Sequence, residues 1–168
     1  MRAVLAGLTL VLASSVAFAQ QPSAPASPAA SRTMVSAADV AAMIAKAKVN
    51  RKENQALLAQ SMMQLAPYNV SLEYRAGVAN AAMHETEAEL FYVIDGSATL
   101  VTGGKLKNEN RTNAANLTGS AIEGGVSRHV AKGDFVMVPE GTPHWFSAID
   151  GTVVLMSLHL PRAPKSVQ

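Results

Sequence analysis

The feature that most constrains the fold is a change in the spacing of apolar residues after Pro67. From there apolar and polar side chains alternate, beginning with Val70, Leu72 and Tyr74. Successive residues of a strand point to opposite faces, so this alternation predicts β-strands. Further short strand-like runs follow at residues 78–84, 89–94, 98–102, 128–131, 135–139, 144–148 and 153–160. With turn signals such as Asp95-Gly96 and Asp150-Gly151 between them, they predict an all-β sandwich or barrel.

The segment before Pro67 predicts a helical extension over residues 35–66. Ser36 followed by Asp39 is a helix-start signal, and two groups of apolar residues at helical spacing follow it. The polar residues 51–54 interrupt the pattern, so it fits either one broken helix or two short ones. Its apolar stripe is expected to pack on the barrel or on a partner subunit, which makes a homodimer one expected assembly.

The first residues predict export. A charged start, an apolar run over residues 4–18 and the ending Ala17-Phe18-Ala19 are typical of a cleaved signal peptide, residues 1–19. The Pro-, Ala- and Ser-rich residues 20–34 predict a disordered linker. The mature chain is therefore expected in the periplasm or outside the cell. No later window approaches the roughly 18 consecutive apolar residues of a spanning helix, so no membrane partner is expected.

Composition excludes several classes of function. The chain has no cysteine, which rules out disulfide scaffolds, thiolate zinc sites, cysteine nucleophiles and iron–sulfur clusters. Its formal net charge is only +2 and no basic stripe is present, so nucleic acid is not expected as a partner.

Two histidine-containing patterns stand out within the predicted barrel. The first has the spacing H-x4-E-x6-G and runs from His84 through Glu89 to Gly96. The second has the spacing G-x5-P-x-G-x2-H and runs from Gly133 to His144. In this order, they resemble the two motifs of the cupin superfamily over residues 68–161, with residues 162–168 as a tail.

The resemblance implies a cupin-type double-stranded β-helix, or jelly-roll barrel, with one divalent transition metal in its mouth. In the family, two His and one Glu of the first motif and one His of the second hold the metal. Matched position by position, Glu89 is the glutamate and His144 the histidine of the second motif. His84 is then a histidine of the first motif.

The first motif lacks its other histidine. If His84 is the second histidine of the motif, the first falls on Ala82; if it is the first, the second falls on Thr86. A third register places Met83 and Glu85 at the histidine positions. The first register is preferred because the family permits four residues between the second histidine and the glutamate.

The remaining ligand set suits iron, manganese, zinc or nickel with open positions for water and substrate. Glu89 shares a strand face with Phe91 and Val93, so its charge would lie above an apolar floor and require a cation or a hydrogen-bond partner. His159, in the last predicted strand, is a candidate fourth ligand, although a hydrogen-bonded core histidine is the alternative.

Other residues of the predicted pocket have assigned roles. Glu85 and Glu87 are candidate catalytic carboxylates, or solvated charges at a strand end, and Tyr74 is a further catalytic candidate. The candidates for substrate binding are Arg75, Phe91, Trp145 and Arg128. The polar segment 103–125, which has glycines at both ends, is too long for a hairpin turn and predicts a mobile cap over the pocket.

The predicted function is the handling of a small molecule, with two alternatives. The first is a metal-dependent oxygenase, isomerase, lyase or decarboxylase. The second is a non-catalytic small-ligand-binding protein, or a metal-free barrel used for oligomer contacts.

Overall fold

The computed structural model describes residues 31–162. The predicted signal peptide, most of the predicted linker and all but the first residue of the predicted tail lie outside this part of the chain. The described elements are helix α1 (Ala37–Asn50) and strands β1 (Leu57–Leu65), β2 (Tyr68–Arg75), β3 (Ala81–His84), β4 (Glu87–Thr102), β5 (Lys105–Lys107), β6 (Asn110–Arg111), β7 (Asn116–Gly119), β8 (Ala121–Glu123), β9 (Val126–Ala131), β10 (Phe135–Val138) and β11 (His144–Pro161). The predicted all-β fold with an N-terminal helix is confirmed.

Helix α1 begins with a capping box. The Ser36 hydroxyl accepts a hydrogen bond from the backbone N–H of Asp39, whose carboxylate accepts one from the Ser36 N–H. The helix ends at Asn50, where Arg51 becomes extended and its guanidinium donates to the backbone carbonyls that follow. Within residues 31–162, no helix is long and apolar enough to span a membrane.

The predicted helical extension is wrong beyond Asn50. Residues 57–65 form β1, which pairs antiparallel with β2 from Leu57 opposite Arg75 to Leu65 opposite Tyr68. A short apolar run fits a helix or a strand equally well, and here the pairing with β2 decides. The sheet therefore begins eleven residues before the predicted start of the barrel at residue 68, counting from Leu57.

Two long antiparallel strands, β4 and β11, form the centre of the fold. The main sheet has the strand order β1-β2-β11-β3-β7-β6. Strand β4 also pairs with β11, and in addition with β9 and β10. The predicted hairpin turns at Asp95-Gly96 and Asp150-Gly151 are wrong, because both pairs lie inside these strands at register shifts. Gly96 has a φ of 79°, and a Cβ there would collide with the carbonyl oxygen of Thr152.

The predicted mobile cap over residues 103–125 is instead built from paired strands. β5 pairs with β8, β6 pairs with β7, and β7 also pairs with β3 of the main sheet. Leu117 of β7 is buried, so this segment is fastened to the barrel rather than held at two hinges.

The side chains of the sheet separate into two apolar clusters. The inner cluster fills the barrel and includes Phe91, Leu100, Phe146 and Leu155. The outer cluster lies between the sheet and α1, and includes Leu72, Tyr74 and Val154 with Ala47 of the helix. Because neighbours alternate along β2, Glu73 and Arg75 face the barrel interior, opposite Leu155 and Val153.

Candidate metal centre

Three strands bring four side chains together inside the barrel. Glu89 of β4 is 3% exposed and lies directly opposite His159 of β11. His144 begins β11 opposite Ala82 of β3, and His84 is the last residue of β3. The pairing of β3, β4 and β11 therefore positions the whole group.

The three imidazoles surround the carboxylate of Glu89. Its Oε2 atom lies 3.0 Å from Nε2 of His144 and 3.3 Å from Nε2 of His84. Its Oε1 atom lies 3.4 Å from Nε2 of His159. Ligand atoms of His84, Glu89 and His159 all lie within 4.8 Å of one another, and the ring centroid of His144 is 5.3 Å from that of His84.

The other ring nitrogen of each histidine faces an oxygen acceptor. Nδ1 lies 2.7 Å from Asn116 Oδ1 in His84, 3.2 Å from the Thr142 carbonyl oxygen in His144 and 2.9 Å from Glu87 Oε2 in His159. Such acceptors keep the proton on Nδ1 and leave the Nε2 lone pair free. All three lone pairs then point at Glu89.

Glu89 has one further neighbour, Ser157, whose hydroxyl donates to Oε1 at 2.5 Å. Oε2 is fully buried, and it makes no hydrogen bond of good geometry within residues 31–162. A buried carboxylate is costly without a positive partner. Lone pairs of neutral imidazoles cannot supply one, so the arrangement requires either protonated histidines or a bound cation.

The pKa shifts of Glu89 and His84 also indicate that the buried carboxylate needs a positive charge beside it. Burial would raise the pKa of Glu89, but the imidazoles of His144 and His84 outweigh burial and hold it well below its usual range. Burial would lower the pKa of His84, yet Glu89 and Asn116 outweigh it and raise the pKa. A divalent cation would remove the need for these protons, and three imidazoles with one carboxylate are donors suited to a first-row transition metal. The residues present therefore fit the metal predicted from the sequence.

A cavity of about 400 Å³ adjoins the four residues, which lie in its wall together with Glu73, Arg75 and Ala82. Glu73 and Arg75 form an ion pair at 2.7 Å, with side chains 12% and 10% exposed. The Arg75 guanidinium also lies 4.5 Å from the ring centroid of Phe146.

The structure brings several predicted site residues together. His84, Glu89, His144 and His159 form the centre, and Arg75 lines the cavity. Phe91 packs edge to face against His144, with ring centroids 5.8 Å apart, and so supports the centre from the inner cluster. Glu87 does not line the cavity but fixes the ring of His159.

Other predicted site residues lie elsewhere. The catalytic prediction for Tyr74 is wrong, because Tyr74 alternates with Arg75 and is buried in the outer cluster. Glu85 forms a bidentate ion pair with Arg111, with contacts of 2.8 and 3.0 Å, and belongs to the protein surface.

Like Phe91, two other predicted substrate contacts are absent from the cavity wall. The Arg128 guanidinium is exposed on β9 and donates to the hydroxyl of Thr102. Trp145 points away from its neighbour His144, and its indole N–H donates to the carbonyl oxygen of Ala79. The position of Trp145 follows from strand alternation, which places it on the face opposite to that of His144. Arg128 is exposed because it lies in the exposed first part of β9, residues 126–129.

Sequence reasoning missed Glu73, Ser157 and Asn116. Glu73 shares a face of β2 with Arg75, and Ser157 shares a face of β11 with His159. The two-residue period of a strand could therefore have predicted both positions. Asn116 has no such signal, because only the pairing of β3 with β7 brings it opposite His84.

Comparison with known proteins gives one family match. A family model described as Cupin matches residues 46–165, more than half of the chain. No curated protein matches the sequence.

Several solved structures are similar to the chain. KdgF from Halomonas sp. has 14% identity and a TM-score of 0.48, covering 70% of this chain and 89% of that chain. A cupin superfamily protein from Desulfitobacterium hafniense DCB-2 has 17% identity and a TM-score of 0.46, covering 67% and 83%. FeII HppE has 14% identity and a TM-score of 0.49, covering 66% and 54%.

Proposed function

The chain belongs to the cupin family, and we propose that it binds one divalent transition metal through His84, Glu89, His144 and His159 to handle a small molecule in the adjoining cavity. The family match confirms the predicted cupin-type barrel. The observation that carries the proposal is the convergence of three imidazole Nε2 atoms on one buried carboxylate.

His159 completes the ligand set. The family places two histidines in the first motif, and Ala82 occupies one of these positions here. The third imidazole comes instead from β11, where strand register sets His159 opposite Glu89. Glu87 accepts from Nδ1 of His159, and such outer contacts orient a histidine toward a metal.

The donor set suits iron, manganese, zinc or nickel. When bound, such an ion polarises a carbonyl or hydroxyl oxygen, or activates water or dioxygen. Within the cavity, Glu73 is a carboxylate able to accept a proton, and Arg75 is a cation able to orient an anionic group. These residues support a metal-dependent oxygenase, isomerase, lyase or decarboxylase.

A non-catalytic small-ligand-binding protein is the second candidate. The ion pair with Arg75 favours it, because the guanidinium already occupies Oε2 of Glu73, the carboxylate that would otherwise be available as a base in the cavity. A metal-free structural barrel is disfavoured, since it would have to keep protonated histidines around Glu89, whose buried Oε2 makes no hydrogen bond of good geometry within residues 31–162.

Metal analysis of the purified mature chain tests the proposal. The parent should hold close to one equivalent of a first-row metal after reconstitution, and His144→Ala and His159→Ala should each hold much less. His129→Ala is the matched control, because His129 is exposed on β9 and should leave metal content unchanged.

Circular dichroism would verify that each variant is folded, and His159→Gln would retain a polar side chain should the alanine variant unfold. A parent that binds no metal after reconstitution, or equal affinity in all the variants, would refute the proposed centre.

A further inference from the structure

The cavity beside the metal centre holds a second charged group, formed by Glu73 and Arg75. Both side chains are nearly buried, and both face the barrel interior from β2. Replacing a buried ion pair by apolar residues is often neutral or stabilising, so barrel stability alone does not account for this one. Its place in the wall shared with His84, Glu89, His144 and His159 indicates a role in ligand binding.

The contacts of Arg75 leave part of its guanidinium for a ligand. Nε and Nη2 both reach Oε2 of Glu73, at 2.9 and 2.7 Å, and one face of the group lies over Phe146. Across residues 31–162, Nη1 donates no hydrogen bond, and Glu73 Oε1 accepts none. The pair thus offers a cationic donor and an anionic acceptor side by side.

Charge balance selects the ligand. The charged side chains in the cavity wall are Glu73, Arg75 and Glu89, while Glu87 lies behind the ring of His159 and outside the wall. The ion pair is neutral as a unit, so a divalent metal with Glu89 leaves one net positive charge. A monoanion balances this charge, and a planar carboxylate suits the guanidinium.

We infer that the cavity binds a small hydroxycarboxylate, with its carboxylate on Nη1 of Arg75 and its hydroxyl group facing Glu73 and the metal centre. The inference rests on the proposed metal site. The free Oε1 atom of Glu73 favours a hydroxyl over a carbonyl group, because only the hydroxyl has a proton to donate. The cavity volume of about 400 Å³ limits the ligand to a small molecule.

Ligand titration of the Co(II)-loaded mature chain tests the inference through the visible spectrum of the metal. The probes are glycolate, 3-hydroxypropanoate and 4-hydroxybutanoate, each compared with its uncharged amide. At least one acid should bind saturably and roughly tenfold or more tighter than its amide. Arg75→Met should weaken that acid by about tenfold or more and change the amide little.

Two further variants keep the result interpretable. The double variant Glu73→Gln/Arg75→Met removes both charges and should lose the preference for the acid over its amide. It should fold even if the unpaired Glu73 left in Arg75→Met destabilises that single variant. Arg128→Met removes an exposed arginine outside the cavity and should bind like the parent.

The outcomes separate the two proposals. A parent without bound cobalt would overturn the metal site and this inference with it. The hydroxycarboxylate assignment would be overturned, and the metal site left standing, by either of two results with the cobalt-loaded parent. In the first, the parent binds none of the acids. In the second, it binds them no more tightly than Arg75→Met and the double variant do.

Discussion

Replacing Ser157 by alanine should weaken both the fold and the metal centre. Ser157 is 1% exposed, and its hydroxyl donates to Glu89 Oε1 at 2.5 Å. Hydrogen bonds to charged groups contribute about 1.5–3 kcal/mol to stability. For a domain of this size, losing that amount should lower Tm by about 5–12 °C in the metal-free protein, measured by scanning calorimetry.

The same change should reduce metal affinity by about 10–100-fold, the usual effect of losing a contact that orients a ligand. Competition with a metal indicator would measure this. Ser147→Ala is the control, because Ser147 also lies on β11 but donates only a long bond of 3.4 Å to the Thr99 carbonyl. If the two variants match in Tm and in affinity, the Ser157 hydroxyl does not orient Glu89 and the reasoning fails.

Four further predictions follow from the fold and the sequence. Leu72→Ala, at a fully buried position of the outer cluster, should lower the free energy of unfolding in urea by about 2–5 kcal/mol, equally with and without metal; a metal-dependent cost would contradict the separation of the two clusters. Gly96→Ala should lower Tm, because its positive φ costs about 1–3 kcal/mol and its Cβ would strike the Thr152 carbonyl; an unchanged Tm would contradict this. Phe135 is 68% exposed on strand β10, which pairs only with β4 among the described strands. We therefore propose that the free edge of β10 forms the interface of a homodimer. Light scattering should give a dimer for the parent and a monomer for Phe135→Glu, and a monomeric parent would refute the proposal. We also propose export, for which intact mass should show a chain beginning at Gln20; recovery of the uncleaved chain alone would count against it.

Local spacing was enough to predict most of the barrel. The alternation of Val70, Leu72 and Tyr74 marks β2, and the two motifs include residues of strands β3, β4, β10 and β11. A two-residue period depends only on which face is buried, so it can be read without knowing the partner strand. For the same reason it placed Glu89 in the barrel interior.

Features that depend on pairing could not be predicted in the same way. The run 57–65 has an apolar spacing that also fits a helix, and only its pairing with β2 makes it a strand. Asp95-Gly96 has the composition of a hairpin turn, yet it pairs with Val154 and Val153 between two register shifts, because β4 continues along β11 on both sides. Long-range partners decide each of these outcomes.

In the proposed metal centre, strand register supplies the imidazole that the first motif lacks. Because β4 and β11 pair antiparallel, any residue at position 159 lies opposite Glu89, and an imidazole there reaches the carboxylate. The family position at Ala82 then has no ligand to supply, and this small side chain becomes part of the cavity wall that also includes Arg75. In the proposed metal centre one ligand thus comes from β11 rather than from β3, which leaves room on the side where Ala82 lies. An alanine at position 82 is therefore compatible with the proposed four-residue ligand set and with space for a small molecule.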